Sequence, residues 1–371
     1  MDSHKKMRKR EGWSMTEFRE VIYQKDFKTS RHCILAGDIG GTNSNFGIFE
    51  MQGVKPLLLF SLHAKSQTIT DYASVVADLL RYCKEKYSIM LEEACFGAAG
   101  IIRQDRTVVK PTNLTVTMDA RAIMQATGLK KLIFINDFEA VALGIDYINP
   151  RDLVVINQGL NHSQSQKACI GAGTGMGKSA LIWSKHFERY LPIASEGGHA
   201  DCAAQTAVES KLFEFIQAEP GHQGCPVSWE DLLSGNGIGR IYQFLGKHTS
   251  YSETEISREI AAHGFQPDLI SAYAQKDARC RATFDLYTTF YARCAKNFVL
   301  DLLALDGIYI AGGIAAKNVE LFKQKSFLDE FIKCNKHGAI LREVPIFVIA
   351  DYNVSLYGAA AYLYLKQQGI L

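Results

Sequence analysis

The sequence predicts an α/β protein with two similar halves, from two glycine-tipped hairpins and an alternation of apolar strands with amphipathic helices. In the first half Ile34 and Leu35 lead into Asp38-Ile39-Gly40-Gly41-Thr42-Asn43, and apolar residues resume at Phe46-Gly47-Ile48-Phe49. Gly40 and Gly41 let the backbone reverse, so the stretch reads as strand, tight turn, strand. In the second half Ala168-Cys169-Ile170-Gly171-Ala172-Gly173-Thr174-Gly175-Met176-Gly177-Lys178-Ser179 runs into Ala180-Leu181-Ile182, again strand, glycine tip and strand.

Such a tip can face a phosphate. Its glycines release peptide N–H groups toward phosphoryl oxygens, Thr42 and Asn43 add donors, and Asp38 can hold a hydrated Mg²⁺. An ordinary hairpin also uses Gly-Gly, so the first loop alone divides evenly between the two readings. Its repetition in the other half favours two phosphate loops. The second loop nearly imitates a Walker A sequence, but Ala172 stands where that motif needs Gly. A dinucleotide fingerprint counted from Gly171 needs Gly at Met176. Both motifs also require a helix next, whereas Ser179 to Trp183 has strand character.

The remaining elements follow in α/β order. Strands are expected at Leu57–Leu62, Ala94–Gly97, Leu132–Ile135, Leu153–Ile156, Ile308–Ala311 and Ile346–Ile349. Helices are expected at Tyr72–Tyr87, Thr206–Ala218 and Arg281–Ala304. A chain of 371 residues, 47% hydrophobic, is long enough for two cores. Its net charge of +2 implies no nucleic-acid partner, and no apolar run approaches the roughly 20 residues of a membrane span. Nine scattered cysteines without a CxxC pair point to reduced thiols in a cytoplasmic setting. His222 and Cys225 read as a surface loop, not as half of a zinc site.

Residues 1–32 form a basic N-terminal extension, expected to be a flexible, solvated tail with Met15–Lys25 as a possible helix. Lys5–Arg10 has no apolar core after it, so a secretory signal is not indicated.

Two further groups carry chemistry suited to a hydroxylated substrate. Asn136-Asp137 stands at the C-terminal end of a buried-strand pattern, where α/β proteins place ligand groups. Asp137 can accept the proton of an attacking alcohol, or it can cap the helix Phe138–Ile145. Ser195-Glu196-Gly197-Gly198-His199 and Glu230 supply acceptors and donors, although a core histidine and a solvated first-turn glutamate are the plain alternatives. Gly312-Gly313, after Ile308–Ala311, allows close backbone approach or simply turns a strand into a helix.

With Thr112-Asn113, Glu230-Asp231-Leu232-Leu233-Ser234-Gly235 and Ala311-Gly312-Gly313, these motifs resemble, in order and spacing, the bacterial-type glucokinase family of the actin-like ATPase and sugar kinase superfamily. The resemblance runs from about Cys33 to the C-terminus. It implies two actin-like ATPase (ribonuclease H-like) domains with an interdomain active-site cleft: a small α/β domain over 33–147, completed by the C-terminal helix within 351–371, and a large one over 148–350. It implies transfer of the ATP γ-phosphoryl to the 6-hydroxyl of glucose with Mg²⁺, the first step of glycolysis, in a homodimer without zinc. Asp137 would be the catalytic base. Asn113, Asn136, Asp137, Glu196, His199 and Glu230 would bind the sugar. Asp38, Gly40, Gly41, Thr42, Asn43, Gly171, Gly173, Thr174, Gly175, Gly312 and Gly313 would hold the nucleotide, Asp38 also holding Mg²⁺ through water.

This sequence departs from the family pattern in three places. Asn45 replaces a usual Arg, Val116 a usual aromatic and Ala172 a usual Pro. The related ROK sugar kinases, acting on other hexoses or N-acetylhexosamines, often carry clustered zinc cysteines that are lacking here. Sugar-sensing regulators of the same fold carry a DNA-binding domain, for which a thirty-residue tail is too short.

Overall fold

The structure, a computed structural model, describes residues 16–25, 27, 32–112, 114–222 and 224–371. They divide into two units. The first holds the described residues up to Asn149, with Ser184–Pro192 and Asn353–Leu371; the second holds Pro150–Trp183 and Ile193–Tyr352.

The first unit is built on β1 (Arg19–Ile22), β2 (Cys33–Ile39), β3 (Asn43–Gln52), β4 (Lys55–Lys65) and β5 (Glu93–Ala98). A short ribbon of β6 (Val108–Val109) and β7 (Met118–Asp119) follows, then β8 (Lys131–Asn136). The main sheet runs β1-β4-β3-β2-β5-β8, antiparallel through β2 and parallel from β2 to β8. Period-2 alternation gives the inner strands β2, β5 and β8 two buried faces. Cys33, Leu35 and Ile39 join Leu132 and Phe134 under helices α1 (Tyr72–Tyr87) and α2 (Ala120–Thr127). Ile34 and Ala36 join Ile133 and Ile135 on the other face, under α3 (Asp137–Gly144) and the C-terminal helix (Val354–Gln367). Asp38 alternates onto this second face, at the end of β2.

The helix expected within Met15–Lys25 is not formed where the chain is described. Arg19–Ile22 is instead an edge strand, paired antiparallel with β4 from Arg19↔His63 to Ile22↔Phe60. The open edge of β4 supplies backbone partners that no isolated helix of this length could match. Glu20 accepts a hydrogen bond from the Tyr87 hydroxyl at 2.7 Å and pairs with Lys86.

The second sheet, of which Ser184 and Arg189–Pro192 are grouped with the first unit, contains β9 (Leu153–Asn157), β10 (Lys167–Ala172), β11 (Met176–Ser184), β12 (Arg189–Ser195), β13 (Ile308–Ala311) and β14 (Ile346–Ile349), in the order β12-β11-β10-β13-β14-β9. Three consecutive strands lie side by side and two parallel strands follow, as β4-β3-β2-β5-β8 do in the first unit. Topology thus repeats between the two sheets. The core of the second unit gathers around α9 (Ala278–Leu302), whose N-terminus is capped by Asp277. Ahead of α9 lie α4 (Ala207–Gln217), α5 (Trp229–Leu233), α6 (Gly235–His248), α7 (Glu255–Ala262) and α8 (Pro267–Ala272). After it come α10 (Gly313–Lys317), α11 (Val319–Lys323), α12 (Lys325–Ile332) and α13 (Gly338–Glu343).

Candidate active site

In the first unit the predicted residues meet at the C-terminal ends of the parallel strands. Asp38 pairs in register with Gly97 of β5, and Asn136 with Ala98. Asp38 and Asn136 therefore stand two strands apart, roughly 10 Å, across small residues that leave the sheet end open. Asn136 is the N-cap of α3: its Oδ1 accepts from Phe138 N at 3.0 Å and Glu139 N at 3.2 Å, and its amide approaches Gly100 O at 3.5 Å. Capping falls to Asn136. Asp137 is the first helical residue, half-buried, with Oδ1 near its neighbour Phe138 N at 2.9 Å. Asn113 lies outside the described residues.

The first glycine loop rests on a polar scaffold. Ser66 donates to Gly40 O at 2.6 Å, and its Oγ and the Tyr72 hydroxyl both lie 2.8 Å from the buried Ser44 Oγ. Gly40 N donates to Asn43 O at 3.0 Å, closing the turn and leaving Thr42 and Asn43 exposed. Lys65, opposite Asn43 in the sheet, donates to Asn43 Oδ1 at 2.9 Å. A cation thus stands at the loop although Asn45 replaces the family's usual Arg. Sequence reasoning missed Lys65 because strand register, not proximity in the chain, brings it there. Asp38 accepts hydrogen bonds from Ser355 and Asn45; burial pushes its carboxyl pKa up while these bonds pull it down. Val116 packs against the core beneath α2.

In the second unit the glycine loop joins β10 to β11, and a strand follows it. Gly173 N donates to Gly175 O at 2.8 Å, and Gly235 N, at the start of α6, donates to Gly173 O at 2.9 Å. Lys178 points away from the tip; its ammonium lies 5.5 Å from the Trp229 ring and 5.4 Å from that of Phe298, a buried place no Walker lysine takes. Gly171 pairs with Gly177 within the hairpin and with Ala311 across the parallel neighbour. This register sets Gly312 beside the loop. Gly312 has φ 91°, and a Cβ there would lie 2.4 Å from Ala172 O, so the fold requires glycine at this position. At Gly313 a Cβ would meet nothing within 4 Å, which leaves its backbone approachable.

Glu196, His199 and Glu230 are brought together. The chain after His199 pairs with Val227–Trp229 through Cys202 N to Val227 O at 2.7 Å and Trp229 N to Ala200 O at 3.1 Å. His199 then lies 3.9 Å from a carboxylate oxygen of each glutamate, its side chain about half exposed. Glu230 is no solvated first-turn residue, because its Oε2 accepts from Met176 N at 2.8 Å. Gly198 serves loop packing, since a Cβ there would lie 1.8 Å from Met176 O. Glu196, His199, Glu230 and the Gly173–Gly175 loop are therefore one connected structure within this unit.

Among the described residues no helix is long and apolar enough to cross a membrane. Nor, among them, does any group of three or more His, Cys, Asp or Glu gather as an all-protein metal cage. His222 Nε2 lies 3.1 Å from Asp231 Oδ2, and Cys225 is exposed.

Two units of repeated β4-β3-β2-β5-β8 topology, each carrying a glycine-tipped hairpin, define a sugar kinase of the actin-like ATPase class. The glucokinase family model matches residues 35–366. The chain belongs to the glucokinase family. It is 32% identical over 329 residues to a curated glucokinase of Psychromonas ingrahamii, covering 89% of this chain and 96% of the relative. It is 32% identical to that of Nostoc punctiforme, covering 88% and 97%. Among solved structures, a glucokinase from an Antarctic psychrotroph superimposes with a TM-score of 0.73 at 26% identity, covering 90% of this chain and 98% of that one. A ROK family glucokinase from Streptomyces griseus, solved with glucose and AMPPNP, shares the fold at a TM-score of 0.60 and 18% identity, covering 89% and 98%.

Proposed function

We propose that this glucokinase-family enzyme transfers the γ-phosphoryl group of ATP to the 6-hydroxyl of D-glucose, giving glucose 6-phosphate and ADP. The observation that carries this is the Glu196–His199–Glu230 cluster tied to the Gly173–Gly175 loop through Met176 N. An uncharged sugar is recognised by hydrogen bonds of fixed geometry, and this cluster offers two carboxylate acceptors and an imidazole around one space. In this reading Asn136 contributes its amide donor, with Asn113, while its oxygen stays with the helix cap. Asp137 takes the proton of the 6-hydroxyl as it attacks phosphorus, and the two glycine loops hold the phosphates by their N–H groups.

Mg²⁺ suits Asp38. A lone carboxylate with amide and hydroxyl neighbours matches an ion that keeps several waters and takes its other ligands from phosphate. When bound, the ion would neutralise charge on the transferring phosphoryl group. We place the reaction in the cytoplasm, where all nine thiols stay free, and assign a homodimer, which the mass in solution checks.

The test is ADP release from purified protein with a panel of hexoses and phosphoryl donors. Glucose with ATP should give the highest kcat/KM, and no ADP release with any sugar would overturn the proposal. Within it, His199→Ala should raise KM for glucose by about 1–3 kcal/mol, roughly 5- to 150-fold, with little change for ATP. Glu230→Ala should raise both KM values, because the carboxylate it removes also accepts from Met176 N at the phosphate loop. Equal behaviour of the two variants would separate Glu230 from the loop.

A further inference from the structure

Sheet register lines up a row of polar side chains on one face: Arg19 of β1 opposite His63 of β4, His63 opposite Asn45 of β3, and Asn45 opposite Asp38 of β2. His63 Nδ1 lies 2.7 Å from Asn45 Oδ1, and Ser61 Oγ lies 2.7 Å from His63 Nε2. Asn45 in turn hydrogen-bonds Asp38, as does Ser355.

The direction of every bond in this row follows from donor chemistry. A carboxylate only accepts, so Asn45 must turn its NH₂ toward Asp38 and its oxygen toward His63. The reverse orientation would set the amide oxygen against the carboxylate. An amide oxygen also only accepts, so His63 must carry its proton on Nδ1. Its Nε2 then accepts from the Ser61 hydroxyl. Burial, with the charge of Arg19, lowers the His63 pKa to about 4, so the ring keeps this neutral form near neutral pH.

We infer that His63 is a positioning residue for Asp38, acting through Asn45: Ser61 anchors the ring at Nε2, the Nδ1–H of the ring orients the amide, and the amide holds the carboxylate at the first phosphate loop. The inference rests on the reading that Asp38 serves the phosphate end of the reaction. Such outer partners of a ligand-holding carboxylate typically contribute 10- to 100-fold.

Two measurements test it. In the ligand-free protein, ¹⁵N spectra should show His63 as the Nδ1–H tautomer, and the Nε2–H tautomer would overturn the relay without reference to activity. In kinetics, His63→Leu should lower kcat by about 10- to 100-fold and raise the Mg²⁺ concentration needed for half-maximal rate, with KM for glucose unchanged. His63→Asn, whose amide nitrogen stands near the position of Nδ1, should restore most of the rate. Asn45→Asp should match His63→Leu in rate while keeping the Nδ1–H tautomer, which covers the case in which His63→Leu fails to fold. Wild-type kcat in His63→Leu, or no recovery in His63→Asn, would refute the assignment. Full activity in Asp38→Asn would instead remove the parent reading of Asp38 and leave the tautomer result standing.

Discussion

Asp137→Ala should fold, bind glucose and turn over about 10²- to 10⁴-fold more slowly, the usual contribution of a positioned general base. The structure makes this a clean test. Since Asn136 and not Asp137 caps α3, removing the Asp137 carboxylate leaves both capping bonds in place. The change also removes an acidic group from the first helical turn, worth about 0.3–1 kcal/mol, and the acceptor for Phe138 N. Asp137→Asn is stricter, because it keeps the shape and the acceptor for Phe138 N while removing the basicity. Steady-state kinetics with glucose titration by calorimetry checks both variants, and near wild-type turnover in a folded Asp137→Asn protein would sink the assignment. Asn136→Ala is the contrasting control: it should cost roughly 1 kcal/mol of stability through the lost cap.

Arg106→Ala should destabilise the first unit by about 3–5 kcal/mol, the effect of stranding a buried charge. Arg106 grips Glu139 with two parallel bonds, Nη1 to Oε2 at 2.9 Å and Nη2 to Oε1 at 3.0 Å. The Glu139 side chain is only 5% exposed, so water cannot replace the lost partner. The guanidinium also lies 4.9 Å from the Tyr362 ring of the C-terminal helix. Arg106→Lys should therefore recover little, because a single ammonium supplies neither the paired bonds nor the flat stacking surface. Arg106→Met combined with Glu139→Leu should recover much of the loss, since no charge is then left buried. Denaturant titration of the single and double variants gives the comparison, and additive effects of the two single changes would show that the pair is not coupled. Glu139 lies two residues beyond Asp137, so this pair also holds the start of α3, where the proposed base sits.

Much of the fold was legible because it rests on local pattern. The strand at Ile308–Ala311 and the helix at Tyr72–Tyr87 occur within the bounds that period and composition suggest. The glycine tips are turns for a reason contained in the glycines themselves. Arg19–Ile22 was not legible as a strand, because a four-residue polar-and-apolar segment takes its conformation from the open edge of β4. The helices between Gly235 and Ala272 were also unforeseen, with caps such as the Thr254–Ser257 box evident only once the chain is folded. Of the residues proposed for the site, Asp38, Asn136, Asp137, Glu196, His199 and Glu230 are carried by sequence motifs. His63, Lys65 and Ser355 are not, since nothing in their own neighbourhoods distinguishes them from ordinary surface or strand residues, and Asn45 stood out only as a departure from the family pattern.

The sequence by itself determined that the chain is an α/β protein with two glycine-tipped loops and that it resembles glucokinases. Turn chemistry, strand alternation and motif order are properties of neighbouring residues, so they survive without coordinates. Only the tertiary structure decided which polar groups answer one another. The register of β1, β4, β3 and β2 placed Arg19, His63, Asn45 and Asp38 in one row. The cap of α3 went to Asn136, Glu230 turned to Met176 N, and Lys178 was buried against Trp229 and Phe298. Hydrogen bonds act over about 3 Å and burial depends on the whole core, so partners far apart in sequence are chosen by strand pairing and packing, which no local pattern encodes.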